Sequence, residues 1–168
     1  DNSGATAALN SSTADMSKWI QFWLNRGIVG DDTLLSESAV KKIWTLHTPL
    51  ERGNFDEENG IENKGYGQGW FLMDYNGKKV MHHGGGLPGY ISKVAIVPEE
   101  NLGIIVLTND MNSVPTLLMY AAIDAAMGKD YSKWSDSFYS FKTANAKGEA
   151  ERDAKRLEGR KEDPLLLP

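Results

Sequence analysis

Val80-Met81-His82-His83-Gly84-Gly85-Gly86-Leu87-Pro88-Gly89-Tyr90 decides how this chain is read. An apolar strand runs into two histidines and then into backbone almost bare of side chains. Strands are predicted on both sides: Gly69 to Tyr75 and Lys78 to His83 before the glycines, Tyr90 to Val97 and Gly103 to Thr108 after them. Asn76-Gly77 fits a two-residue hairpin, because both positions favour the positive φ of a type I′ turn. Pro98-Glu99-Glu100-Asn101 closes a second hairpin, so the segments form a four-stranded antiparallel meander. The glycines also matter chemically. A strand edge without Cβ atoms lets an acyl group reach main-chain N–H, and such a donor stabilises the charge developing on a reacting carbonyl.

Outward from this stretch, Ser12-Thr13-Ala14-Asp15 has capping-box spacing, with aspartate in place of the usual glutamate. Met16, Trp19, Ile20, Trp23 and Leu24 follow at helical spacing, and Gly27 can end the helix in the left-handed conformation. A second helix is expected from a Ser36 cap through Val40, Ile43 and Trp44 to His47, where Thr48-Pro49 stops it. Residues 49–66, with Asp56-Glu57-Glu58-Asn59-Gly60 at their centre, read as a long polar loop. A third helix begins near Ser113 with Pro115 in its first turn and ends at Gly128. Its face of Val114, Leu117, Leu118, Ala121, Ala122 and Ala125 is expected to lie across the sheet. From Asp130 to Lys161 the pattern stays helical. Trp134, Phe138 and Phe141 are available for packing, and the stretch from Ala144 to Arg160 is charged or small, as in a solvated helix or tether. The fold class is therefore α+β, an antiparallel β-sheet flanked by helices.

Composition narrows the function. The 168 residues suffice for a domain with a sizeable core, and 18 basic against 23 acidic residues leave a net charge of −5. That balance argues against a nucleic-acid surface. No window approaches the ~18 consecutive apolar residues of a membrane helix. Cysteine is absent, which excludes disulfides and thiolate metal ligands.

Three motifs fail on context. Gly84-Gly85-Gly86-Leu87-Pro88-Gly89 matches the dinucleotide fingerprint, but that motif must open a helix, and here Pro88 and a β-branched run follow. His82 and His83 are adjacent on a strand and point to opposite faces, so they cannot share one metal ion. No metal or other cofactor is expected. Of the two, His83 beside the glycines is the better cleft residue, and His82 reads as structural. Ser38-Ala39-Val40-Lys41 has the S-x-x-K spacing of a serine nucleophile with its lysine, yet no Y-x-N or S-x-N follows it. In Gly65-Tyr66-Gly67-Gln68-Gly69-Trp70, Trp70 reads as core and Tyr66 as a candidate to line a cleft.

Taken in order, Leu9-Asn10-Ser11-Ser12-Thr13-Ala14-Asp15-Met16-Ser17-Lys18-Trp19, Tyr66-Gly67-Gln68-Gly69-Trp70, His83 to Tyr90 and Pro98 to Asn109 form a set. That set resembles the C-terminal half of the catalytic domain of the serine β-lactamase-related family. The family includes class C β-lactamases, D-alanyl-D-alanine carboxypeptidases, D-aminopeptidases and esterases. The resemblance implies a partial transpeptidase-like catalytic domain over residues 1–128, and a helical linker over 129–168 leading towards a downstream domain. It implies that His83-Gly84-Gly85 is the H-x-G element and that Gly86 N–H serves the oxyanion hole. Gly84, Leu87 and Tyr66 would then meet the substrate. The S-x-x-K and Y-x-N elements would lie upstream of Asp1, so the partners are an acyl substrate and the missing N-terminal half of the same protein. An exported, periplasmic or extracellular protein is expected on the same ground.

The resemblance and the residues converge on a serine hydrolase acting through an acyl-enzyme on amide, ester or β-lactam bonds, with this chain inert alone. Histidine, with a reference pKa near ~6.5, carries less charge than the lysine usual at position 83, so a carboxylate anchor should matter less. The alternatives are a non-catalytic penicillin-binding-like protein and a free-standing structural module.

Overall fold

Ser12 opens the first helix as its spacing predicts: its hydroxyl accepts the Asp15 N–H at 3.2 Å, and α1 runs Thr13–Leu24. This computed structural model describes residues 9–162, in two units that meet in sequence between Tyr131 and Ser132. Gly27 ends α1 with φ +87°, its N–H bonded to Phe22 C=O at 2.9 Å. A short hairpin that the sequence pattern did not disclose follows, β1 (Ile28–Val29) with β2 (Asp32–Thr33).

Helix α2 spans Glu37–Ile43, with the Ser36 hydroxyl accepting Ala39 N–H at 3.2 Å. It stops at Trp44 rather than His47. Pro49 forces Thr48 into extended backbone, Thr48–Pro49 become β3, and the His47 N–H bonds to Tyr66 C=O at 2.9 Å.

The expected loop over residues 49–66 is a correction of a different kind. Within it lie the end of β3, helix α3 (Asn54–Glu58) and strand β4 (Ile61–Tyr66). Asp56 makes the helix possible: its carboxylate accepts Gly53 N–H at 2.9 Å and Lys64 Nζ at 2.8 Å. Strand β4 hides from a period-two reading because its register with the next strand slips between Glu62 and Gly65, where Asn63 has φ +44°.

Strands β5 (Phe71–Tyr75), β6 (Lys78–Leu87), β7 (Tyr90–Val97) and β8 (Leu102–Thr108) complete a six-stranded antiparallel sheet in the order β3-β4-β5-β6-β7-β8. Asn76 and Gly77 both have positive φ, as the hairpin requires, and Asn101 turns the second hairpin at φ +45°.

The helices cover both faces. On one, Ile20 and Trp23 of α1 and Val40 of α2 pack with Trp44, Trp70, Leu72, Met81 and Ile96. Helix α4 (Val114–Ala126) covers the other, but not with the face expected. Pro115, Met119, Tyr120, Ile123 and Asp124 are buried, whereas Leu118 and Ala125 are exposed, because Tyr75 OH donates to Asp124 at 2.8 Å and Tyr120 OH reaches Met73 Sδ at 3.8 Å. The seating of α1 depends on a missing side chain, because a Cβ on Gly103 would collide with Ile20 Cγ2.

In the second unit α5 runs Ser132–Glu162, with the Lys133 ammonium 4.5 Å from the centre of the Trp134 ring. The Phe141 side chain, named above for packing, lies outside the described residues.

Gly103→Val should destabilise the chain by about 1–3 kcal/mol, since the β-branched Ile20 has little freedom to retreat. Urea unfolding measures this; an unchanged midpoint would show that α1 is not seated on β8.

Candidate active site

Strand β6 does not end at His83, as the sequence suggests, but continues through the glycines to Leu87. Its two neighbours cover different parts of it. Pairing with β5 stops at Phe71↔His82, whereas pairing with β7 runs from Met81↔Ile96 to Leu87↔Tyr90. In a two-residue hairpin the residues flanking the turn exchange both hydrogen bonds, and bonded and non-bonded pairs alternate from there. Leu87↔Tyr90, Gly85↔Ser92 and His83↔Val94 are accordingly the bonded pairs. Gly84 and Gly86 turn their N–H and C=O groups away from β7, towards the edge left open where β5 has ended.

His83 occupies that edge. Its Nδ1 lies 2.7 Å from Gly84 C=O. A carbonyl only accepts, so Nδ1 carries a proton, and in the neutral tautomer Nε2 is the ring's acceptor. The Tyr66 hydroxyl stands 3.5 Å from that nitrogen, at the long limit of a hydrogen bond. Tyr66 is held by its flanking glycines, where a Cβ would meet Thr48 C=O (Gly65, 2.7 Å) or Ile43 C=O (Gly67, 2.6 Å). Phe71 joins the group, edge-on to Tyr66 at 4.7 Å and stacked on His82 at 5.6 Å.

The remaining expected residues are placed less centrally. The Gly85 amide faces β7, and a Cβ there would stand 2.7 Å from Ser92 Oγ. Leu87 is exposed beside the Pro88-Gly89 turn. Trp70 is core, as expected. Ser38 is exposed on α2, its Oγ 3.0 Å from that of Ser36.

A cavity of about 360 Å³ opens beside this edge, lined by Leu50, Lys64, Phe71, Leu72, His82, Gly84 and Lys93. The histidine in its wall is His82, not His83. Burial, then the charges of Lys93, His83 and Lys64, push the His82 pKa down to about 3, so its imidazole is neutral. Its Nδ1 is buried and has no hydrogen-bond partner among the described residues. Burial also pushes the Lys93 ammonium below the usual lysine value. Lys64 pairs with Asp56. Burial works to raise the Asp56 pKa, but the hydrogen bonds from Lys64 and Gly53 and the charges of Lys64 and Arg52 hold it below the usual carboxylate value. Lys93 was not singled out from sequence, although a signal exists. It alternates with Ile91, Ala95 and Val97 on one face of β7, and a lysine is out of place in that series. Among the described residues no group of three or more His, Cys, Asp or Glu side chains could hold a metal ion.

The antiparallel sheet between helical layers is that of the β-lactamase/transpeptidase-like fold, as comparison with solved structures shows. A solved relative shares it. The octameric penicillin-binding protein homologue from Pyrococcus abyssi superposes with a TM-score of 0.62 and 24% identity, over 73% of this chain and 26% of that one. The chain belongs to the beta-lactamase family, whose profile matches residues 1–127. It is 26% identical over 141 residues to the unguisins hydrolase ungD' of Aspergillus campestris, covering 79% of this chain and 25% of that protein. Protein flp of Staphylococcus aureus is 27% identical over 139 residues, covering 82% of this chain and 25% of flp. The chain thus spans about a quarter of the length of these relatives. Among the described residues no helix is long and apolar enough to cross a membrane.

Because the His82 pKa lies below its unfolded value, the unfolded chain binds more protons as pH falls through ~6.5. Stability should decrease from pH 7 to pH 5, before most carboxylates titrate. The decrease should be shallower in His82→Gln, as measured by thermal unfolding; parallel curves for the two proteins would contradict the burial of a neutral imidazole.

Proposed function

We propose that this chain is the C-terminal part of the catalytic domain of a serine hydrolase that works through an acyl-enzyme on amide, ester or β-lactam bonds. In this reading residues 1–128 belong to the catalytic domain and 129–168 to a linker. The nucleophilic serine, its lysine and the Y-x-N element come from polypeptide outside these residues. His83-Gly84-Gly85 is the H-x-G element, and Gly86 supplies one oxyanion-hole N–H. The observation that carries the reading is the phase of β6, which turns the Gly86 amide to an open edge rather than into the sheet. Membership of the family and the hydrolase name of a relative support it.

The chemistry follows from the edge. When a serine adds to an acyl carbon, negative charge grows on the carbonyl oxygen, and a fixed N–H about 3 Å away stabilises that charge more than the ground state. With no side chain on Gly84 or Gly86, the acyl group can reach that distance. His83, whose Nδ1 proton is held by Gly84 C=O, presents Nε2 on the same edge.

The test uses the complete catalytic domain. Gly86→Pro deletes the N–H at a position where β7 does not need it, so the domain should fold while kcat falls by about 10²–10³-fold. Gly85→Pro should instead break the bond to Ser92 and destabilise the sheet. Unchanged turnover in a folded Gly86→Pro protein, or no serine labelling by a fluorophosphonate probe in the wild type, would exclude the reading. His83→Lys should raise activity on carboxylate-bearing acyl substrates relative to neutral ones, and equal ratios in the two proteins would refute the weak-anchor expectation.

A further inference from the structure

Three observations at the cavity beside β6 belong together, and of the residues they involve only Gly84 also has a part in the acyl-transfer reading. The first is Lys93. It shares a face of β7 with Ala95 and Val97, both fully buried, and is itself half-buried with no ion-pair partner among the described residues. An ammonium withdrawn from water without a counter-charge is costly, and the cost is relieved when an anion settles beside it. The second is charge balance. The other lysine of the lining, Lys64, is neutralised by Asp56 at 2.8 Å, and His82 is neutral. The cavity therefore carries one uncompensated positive charge. The third is the wall. Leu50, Phe71 and Leu72 are apolar, while Gly84 is also part of the lining and has a main-chain N–H that neither β5 nor β7 uses.

We propose that this cavity binds a small monocarboxylate with an apolar body: the carboxylate faces Lys93 and the Gly84 N–H, and the body lies against Phe71, Leu50 and Leu72. One unpaired cation suits one negative charge. A dianion such as phosphate would meet a single free ammonium with the Asp56 carboxylate close behind Lys64. The volume of about 360 Å³ accommodates a ligand of the size of benzoate. The site does not require the acyl-transfer reading to hold, and its test reads binding rather than turnover.

The experiment follows the amide ¹H–¹⁵N spectrum of the 168-residue chain during titration with sodium benzoate, sodium acetate and benzamide. Benzoate should give saturable shifts at the Gly84 and Lys93 amides. Acetate, which lacks the body, and benzamide, which lacks the charge, should each bind more weakly. Lys93→Met should weaken benzoate by about tenfold or more, the factor expected for losing a charged hydrogen-bond partner. Thermal unfolding of Lys93→Met should match or exceed the wild type, which separates lost binding from lost folding. Lys79→Met, an exposed lysine on β6, should leave benzoate affinity unchanged. Four outcomes each overturn the proposal: no saturable shift with benzoate, equal affinity for benzamide, equal affinity for acetate, or undiminished affinity in a folded Lys93→Met chain.

Discussion

The structure depends on a mismatch of strand lengths. Strand β6 is ten residues long, its neighbour β5 is five, and β7 is eight. Two hairpin turns, Asn76-Gly77 and Pro88-Gly89, fix the phase of β6 from opposite ends, and the phases agree. His82 bonds towards β5 and His83 towards β7, so Gly84 and Gly86 must face outward. The contact between His83 Nδ1 and Gly84 C=O at 2.7 Å is consistent with that phase, which leaves the carbonyl outside the ladder. A single inserted residue in either turn would exchange the inner and outer amides along the whole edge.

What keeps this edge in position is packing on two separate surfaces. Helix α1 sits on β8 only because Gly103 is bare, and it brings Trp23 onto Trp44 and Trp70 at ring separations of 5.8 and 5.7 Å. On the opposite face the bond from Tyr75 to Asp124 ties α4 to β5, the strand whose end defines the open edge. Burial, followed by the hydrogen bond and charge of Asp124, raises the Tyr75 pKa well above the usual tyrosine value, so the phenol stays a donor at any ordinary pH.

Local chemistry explains what the sequence discloses and what it conceals. The hairpin at Asn76-Gly77 and the Ser12 and Ser36 caps are set by neighbours within a few residues, and each is legible. The buried face of α4 is not, because Tyr120 and Asp124 turn inward to partners on β5 while Leu118 and Ala125 stay exposed. Nor is strand β4, because the bulge around Asn63 shifts Gly65 and Tyr66 out of alternation with Ile61. The open edge is legible as glycines, whereas its phase is not, since that depends on where β5 stops. The cavity is hidden for a similar reason. It assembles Leu50 from beyond β3, Lys64 from β4 and Lys93 from β7, and only the sheet order makes them neighbours.

The position of the His83 proton has one more consequence. With Nδ1 turned to its own backbone, the ring presents Nε2 to the Tyr66 hydroxyl 3.5 Å away. Any incoming hydroxyl or amide that seeks this nitrogen enters beside the phenol and competes with it, so arrival at the strand edge is coupled to the placement of the tyrosine.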